Sequence, residues 1–341
     1  MEYKTLGRTG VQVSRLSLGA MMFGSWGADQ ENSTRIIHAA LDAGINMIDT
    51  ADIYSAGESE EFVGKALVNR RESVVLATKF HNRMGPDINQ AGNSRRWIMK
   101  ACEDSLRRLN TDHIDLYQIH RPDPDCDFDE TLGALTDLVA QGKILYVGSS
   151  TFPASAIVEC QWLAADHGYA RVVCEQPPYS MLSRGVEADV LPTCERHRIG
   201  VIAWSPLSGG WLSGKHRVGI QALESSRLSR VPARYDLGRA SNQLKLQAVE
   251  QLALLAESKG HTLVHMALAF VLANPSITSA IIGPRTLDQL TSQLGAIDLV
   301  LDNETLDRID EIVTPGTNFS WDDVWAPPTI AQSQKRRPSM Q

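Results

Sequence analysis

Four residues that could carry acid–base chemistry stand at or just after the ends of apolar, strand-like segments. Asp49 ends INMID and Tyr54 lies in the loop beyond it, Lys79 follows VVLAT, and His120 follows YQI. Taken singly, each has an ordinary structural explanation: Asp49 forms a turn, a lysine at a strand end is solvated, and a lone histidine is hydrogen-bonded in a core. Because all four fall at three successive strand ends, the combination predicts a shared site.

The chemistry that this set supports is proton transfer to a carbonyl oxygen. A phenol, with a reference pKa of about 10, is too weak an acid at neutral pH without help. A buried ammonium beside a phenol favours the phenolate, and Asp49 could hold Lys79 there and offset the cost of its burial. His120 could donate or relay a hydrogen bond to the same oxygen. The structural alternative is that Asp49 forms a turn and Asp52 caps a helix.

Eight apolar segments that we predict to be strands alternate with helix-length amphipathic segments. Several of them, such as VVLAT and VIAW, are continuously apolar, as expected where both faces of a sheet are covered. One helical pattern, STRIIHAALDAG, has Ser33 as its predicted N-cap and Gly44 at its end. Eight such β-then-α units predict a closed (β/α)₈ TIM barrel. The predicted strands are 15–20, 45–49, 73–80, 113–120, 144–150, 171–176, 200–205 and 279–283.

Three segments depart from this alternation. YKTLGRTGVQVSRL predicts a hairpin at the bottom of the barrel. A long polar loop from about 207 to 240, and the segment from about 314 onward, interrupt the pattern, and loops of this length in a compact domain are usually functional. We predict one domain over residues 1–341, with a core of about 1–313 and a C-terminal loop or tail over 314–341.

Composition argues against several classes of protein. A net charge of −7 disfavours nucleic-acid binding, which needs a basic face. Five cysteines without a C-x-x-C pair argue against a disulfide framework and a zinc site. No run of about 18 apolar residues predicts a membrane span, and the N-terminus lacks the apolar core of a signal peptide. We expect a cytoplasmic protein without a bound metal.

Seven motifs carry a resemblance to the aldo-keto reductase superfamily, along almost the whole chain. They are DTADIY, LATK, YQIHRPD, YVGSSTF, EQPPYS, AWSPLSGG and IIGPRTLDQL. The resemblance implies a (β/α)₈ barrel that transfers hydride from a reduced nicotinamide cofactor to an aldehyde or ketone. It also implies that Tyr54 is the general acid and that Asp49, Lys79 and His120 complete a tetrad. The AWSPL motif and the long loop resemble the bacterial-type and potassium-channel β-subunit branches.

The cofactor that the resemblance implies is NADP(H), with NAD(H) as the alternative. No G-x-G-x-x-G follows a strand, so a Rossmann site is unsupported. GGWLSGKH fits the start of a P-loop, but His216 replaces the required Ser/Thr, which argues against triphosphate hydrolysis. The predicted cofactor contacts are Asp49, Ser149, Ser150, Gln176 and Trp204 around the nicotinamide; Ser205, Leu207, Gly209, Lys215 and Arg227 around the pyrophosphate; and Gly283, Arg285, Gln289 and Gln293 at the adenosine end.

Arg285 bears on the choice of cofactor. It stands before the predicted helix TLDQLTSQLGA, and by the resemblance it matches a position where some members of the superfamily carry serine. An arginine there can hold a 2′-phosphate bidentately, which favours NADPH over NADH. One turn later, Ser292-Gln293 replaces the Glu-Asn that the family often has at the adenine.

The substrate is expected to be a small carbonyl compound, and its identity is not encoded in a motif. The residues expected to shape its pocket are Met22, Phe23, Trp26, His81, Trp321 and Trp325. Their aromatic character favours an apolar or ring-bearing carbonyl. Two alternatives stay open: a non-catalytic subunit that senses cofactor, as in channel β subunits, and a dehydrogenase that runs the same reaction in reverse.

Overall fold

The centre of the molecule is a closed barrel of eight parallel strands. In the computed structural model, which describes residues 1–219 and 230–324, two short antiparallel strands precede it, Tyr3–Thr5 (β1) and Gln12–Ser14 (β2). Each barrel strand lies within its predicted segment, so the predicted (β/α)₈ barrel is confirmed. The barrel strands are Leu16–Gly19 (β3), Met47–Asp49 (β4), Val75–Phe80 (β5), Ile114–Ile119 (β6), Ile144–Ser150 (β7), Val172–Gln176 (β8), Gly200–Ala203 (β9) and Ser279–Ile282 (β10).

Helices form the outer layer around these strands. The first begins at Gln30 because Asp29, whose carboxylate accepts a hydrogen bond from the Asn32 N–H, is its N-cap. The predicted N-cap, Ser33, is therefore wrong; its hydroxyl donates to the carbonyl of Ala28 instead. The helices are Gln30–Asp42 (α1), Glu58–Ala66 (α2), Arg95–Leu109 (α3), Phe128–Ala140 (α4), Ala154–His167 (α5), Val190–His197 (α6), Ala240–Ser258 (α7), Leu263–Ala273 (α8), Leu287–Leu294 (α9) and Asn303–Ile312 (α10).

The N-terminal hairpin closes the bottom of the barrel, as predicted. Leu6, between β1 and β2, is buried among side chains from inside the barrel that include Met47 and Leu116. Gly7 has φ +56°, and a Cβ on it would lie 2.5 Å from the Val173 carbonyl oxygen. Only glycine fits so tight an approach in this backbone conformation.

The described parts of the long loop and of the C-terminal segment are joined by buried ion pairs. Asp323 lies 2.9 Å from Arg234 Nε and 2.5 Å from Lys245 Nζ, and Lys245 and Asp323 are fully buried. Residues 321–323 are thereby held against the 230–239 part of the loop and against α7. Among the described residues, none of the helices has both the length and the apolar character that crossing a membrane requires.

Candidate active site

The four predicted residues meet at the carboxyl ends of adjacent strands. Asp49 ends β4, Lys79 is in β5, His120 follows β6, and Tyr54 begins a short helical turn after β4. The Lys79 ammonium lies 2.5 Å from Asp49 Oδ1 and 3.4 Å from the Tyr54 hydroxyl, and it donates to the Thr50 carbonyl at 2.8 Å. The geometry therefore joins a carboxylate, an ammonium and a phenol in one chain of contacts.

The charge on Lys79 is stabilised although its side chain is fully buried. Burial disfavours the ammonium, but Asp49 and then Tyr54 favour it more strongly, so the pKa of Lys79 is raised above its usual 10.5. Lys79 is therefore a permanent cation at neutral pH. A cation this close to a phenol stabilises negative charge that develops on the phenol oxygen as its proton leaves.

His120 presents a neutral ring to Tyr54. The two ring centroids are 5.9 Å apart, edge to face. Burial, with Arg121 and Lys79 adding to it, lowers the pKa of His120 well below 6.5. The Asn82 amide nitrogen lies 2.9 Å from His120 Nδ1; as placed, it donates to Nδ1 and leaves the ring proton on Nε2. Sequence reasoning missed Asn82, although it lies only three residues after Lys79.

Two glutamine amides hold the second oxygen of Asp49. Gln118 Nε2 and Gln176 Nε2 donate to Asp49 Oδ2 at 3.0 and 2.7 Å, and the two amides contact each other at 3.1 Å. Both oxygens of this buried carboxylate are thus satisfied, one by Lys79 and one by the amides. Gln176 was predicted as a cofactor contact; Gln118 was not predicted.

Asp52 lies apart from this network. The N-cap of α2 is Gly57, so Asp52 does not cap the helix. Within the described residues its carboxylate oxygens are buried without a side-chain partner, and burial, with Glu60 adding to it, raises its pKa well above the usual value. Glu60 is itself paired with Arg108 at 2.6 Å. Of the two carboxylates in DTADIY, only Asp49 faces the tetrad.

The two serines predicted as nicotinamide contacts have different partners. Ser149 pairs in register with Glu175 and donates its hydroxyl to that carboxylate, whereas Ser150 pairs in register with Gln176. The Ser150 hydroxyl donates to the Gln176 carbonyl at 2.8 Å. Because successive strand residues face opposite sides, the structure brings Ser150 to the tetrad side with Gln176 and does not bring Ser149 there.

Trp204 and the loop after it line the neighbouring part of the barrel mouth. The indole N–H of Trp204 is buried and has no partner in the described residues. Ser205 and Gly209 have φ of +60° and +69°, and the Ser205 hydroxyl accepts the Gly209 N–H at 2.9 Å. Leu207 is half-buried and Lys215 is exposed. Arg227 lies outside the described residues.

A cleft of about 530 Å³ opens between the loop after β3 and the start of α9. Trp26, Arg285 and Gln289 are among its lining residues. The Arg285 N–H donates to Gln289 Oε1 at 2.8 Å, and the Arg285 guanidinium forms no ion pair within the described residues. Gln293, one turn further along α9, is buried, and its Oε1 has no partner in the part of the chain that the structure describes. A Cβ added at Gly283 would meet open space.

The residues predicted for the substrate pocket are only partly brought together. Trp26 lies near Tyr54, with ring centroids 6.1 Å apart, and so connects the cleft to the tetrad. Met22 and Phe23 are buried, and His81 contacts Asn93 at 2.9 Å. Trp321 is 49% exposed and has no aromatic contact among the described rings. Trp325 lies outside the described residues.

Comparison with known proteins identifies the family. The model of the Aldo/keto reductase family matches residues 15–314. An uncharacterized oxidoreductase of Bacillus subtilis is 42% identical over 92% of this chain and 96% of its own length. A putative voltage-gated potassium channel subunit beta of Schizosaccharomyces pombe is 35% identical over 91% and 93%, and a probable one of Arabidopsis thaliana is 34% identical over 92% and 97%. The family model covers most of the chain and relatives of this identity are matched over nearly their whole length, so this chain is an oxidoreductase of the aldo/keto reductase family.

Proposed function

We propose that the protein reduces an aldehyde or ketone with NADPH and that Tyr54 supplies the proton. The observation that carries this proposal is the contact chain from Asp49 through Lys79 to the Tyr54 hydroxyl, at 2.5 and 3.4 Å. The family supports carbonyl reduction with a nicotinamide cofactor in general. The phosphate on that cofactor and the residue roles are our inference.

Each member of the tetrad has a distinct part in this mechanism. When bound, the reduced nicotinamide supplies hydride to the carbonyl carbon. Tyr54 donates its hydroxyl proton to the carbonyl oxygen, and Lys79 stabilises the negative charge left on the phenol. Neutral His120, with its proton on Nε2, donates a hydrogen bond that positions the same oxygen. Asp49 keeps Lys79 in place, and its glutamine partners keep Asp49 in place.

The residues around the mouth fit a dinucleotide. Gln176 and Ser150 lie beside Asp49 and could hold the carboxamide, and the ring of Trp204 offers a stacking surface with an unpartnered N–H. At the far end, the unpartnered Gln293 Oε1 suits an adenine amino group, and the open space at Gly283 leaves room for the base. Burying a polar atom such as Gln293 Oε1 without a partner costs free energy, which cofactor binding would recover.

A second candidate is a subunit that binds cofactor without turnover. The relatives named as potassium channel β subunits favour it, whereas the complete tetrad favours catalysis. The same residues would also serve a dehydrogenase running in reverse. The five cysteines all lie in the described residues and form no disulfide, which supports the reducing cytoplasm as its location.

Cofactor oxidation across a panel of aldehydes, ketones and sugars tests the proposal. We expect multiple turnovers with at least one aldehyde and a higher kcat/KM with NADPH than with NADH. Tight cofactor binding without turnover on any member of the panel would instead support the cofactor-sensing subunit. Turnover seen only when alcohols and NADP⁺ replace the carbonyl compounds and NADPH would support the dehydrogenase.

Arg285→Ser is expected to weaken NADPH binding by about 10- to 150-fold and to leave NADH binding nearly unchanged. NADPH and NADH differ only in the 2′-phosphate, and a hydrogen bond to a charged group contributes about 1.5–3 kcal/mol. The guanidinium lines the cleft without an ion-pair partner in the described residues, so it is available for the phosphate. Quenching of tryptophan fluorescence on titration measures both affinities, because Trp204 lies at the mouth.

Arg96→Ser is the matched control, since Arg96 is an exposed arginine on α3. It should bind both cofactors as the parent does. The loss in Arg285→Ser should also shrink at high salt, because a contact at the rim is screened. Equal loss of both cofactors, or equal affinity of the parent for both, would show that Arg285 is not the 2′-phosphate contact; Lys215 and Arg227 would be the next candidates.

A further inference from the structure

Arg121, which directly follows His120, is an arginine at the barrel mouth that has no carboxylate partner among the described residues. Its Nη1 donates to three neutral oxygens: the His120 carbonyl at 2.7 Å, Thr151 Oγ1 at 2.8 Å and Ser150 Oγ at 3.4 Å. No ion pair formed within residues 1–219 and 230–324 includes it. Partly buried guanidinium groups usually have an acidic partner, because removing the charge from water is costly.

The guanidinium shares its surroundings with the tetrad. Its Cζ lies 5.9 Å from the centroid of the Trp204 ring. Arg121 is, after burial, the largest contributor to the lowered pKa of His120. Burial lowers the pKa of Arg121 itself, and the ionisable groups of Tyr54 and Glu175 nearby partly offset this. The positive charge of Arg121 therefore acts at the place where a carbonyl substrate would contact Tyr54 and His120.

One edge of the Arg121 guanidinium, formed by Nε and Nη2, is available to bind a ligand. Nε and Nη2 form no hydrogen bond in the described residues, and neither is among the polar atoms sealed from solvent. These two nitrogens present parallel N–H groups that match the two oxygens of a carboxylate. The neighbouring protein carboxylates are already occupied: Asp49 by Lys79, and Glu175 by the Phe152 N–H at 3.1 Å and the Ser149 hydroxyl.

We propose that Arg121 is a specificity-determining residue that binds a carboxylate on the substrate, so that the preferred substrates are carbonyl compounds bearing a carboxylate. This inference rests on the proposed carbonyl reduction. A carboxylate is favoured over a phosphate because the available edge is a single two-nitrogen fork, and no second cation is among the contacts of Arg121 within the described residues.

The experiment compares a charged aldehyde with its uncharged counterpart. A general loss of activity in a variant lowers kcat/KM for both and so leaves their ratio unchanged. Succinic semialdehyde and its methyl ester form the pair, and kcat/KM is measured for each with NADPH. We expect the parent to prefer the acid. Arg121→Met should lower the acid-to-ester ratio by about 10- to 150-fold, the range expected for a hydrogen bond to a charged group. Arg121→Lys, which keeps the charge without the fork, should give an intermediate ratio.

Several outcomes would overturn the proposal. One is a parent acid-to-ester ratio near one, and another is a ratio that Arg121→Met does not change. Loss of NADPH affinity in Arg121→Met, with equal loss for acid and ester, would assign Arg121 to the cofactor instead. A larger Arg121-dependent preference for glyceraldehyde 3-phosphate over glyceraldehyde would show that the ligand is a phosphate. In each case, reduction of the methyl ester by the parent would still support the proposed carbonyl reduction. Failure to reduce any aldehyde would instead contradict the proposed function.

Discussion

Tyr54→Phe is expected to lower kcat for a good aldehyde substrate by about 10² to 10⁴, the usual contribution of general acid catalysis. The substitution removes only the hydroxyl that lies 3.4 Å from the Lys79 ammonium. The ring and its contacts with Trp26 and His120 remain, so the fold and the cofactor affinity should be those of the parent. Steady-state kinetics under saturating NADPH, with fluorescence titration of the cofactor, measures both quantities.

Tyr146→Phe is the matched control, because it makes the same change on barrel strand β7, beside the interior cluster that contains Leu6. It should retain the parent kcat. If Tyr54→Phe reduced the aldehyde at the parent rate, the proton would come from another group, and His120 would be the first residue to test.

Lys79→Met is expected to abolish most turnover and to destabilise the fold by about 3–5 kcal/mol, the usual cost of removing one partner of a buried ion pair. Asp49 would keep its two amide donors but lose its cation, and Tyr54 would lose the neighbouring charge. Denaturant unfolding measures the free energy of unfolding, and cofactor oxidation measures the activity.

The contribution of Lys79 to the free energy of unfolding depends on pH in a definite direction. The folded-state pKa of Lys79 lies above its usual 10.5. The stabilisation from Lys79 is therefore fully present below about pH 10.5 and is lost only as the pH rises through the folded-state pKa. Lys65→Met, at an exposed lysine on α2, should change neither stability nor activity by a comparable amount. Parent-like stability together with parent-like activity in Lys79→Met would contradict the pairing.

The barrel could be predicted from the sequence because its strands are short apolar runs separated by helical patterns. Most barrel-strand residues are buried, so several of the runs are continuously apolar, as in VVLAT, and the predicted strand bounds are correct to within two residues. The local helix start was harder to predict. Asp29 and Ser33 are both good N-cap residues. Asp29 is the N-cap of α1 because of the path that the loop after β3 takes in the folded protein.

The tetrad could be predicted because each member stands at a strand end, but the residues that support it could not. Gln118 contacts Asp49 only because β6 lies near β4 in the fold. Asn82 contacts His120 only because the loop after β5 lies beside the end of β6. The placement of Ser149 could have been predicted. Gln176 must face Asp49, and the alternation along parallel strands then directs Ser150 toward the same side and Ser149 away from it.

Isotope transfer from the cofactor tests the central claim most directly. Parent enzyme is incubated with an aldehyde and NADPH carrying deuterium on the transferring carbon of its nicotinamide, and the product is analysed by mass spectrometry. The proposed function predicts a deuterated alcohol in large molar excess over enzyme, with far less from Tyr54→Phe in the same time. Deuterium that stays on the bound cofactor, with no alcohol beyond one equivalent of enzyme on any aldehyde tested, would contradict carbonyl reduction at this site.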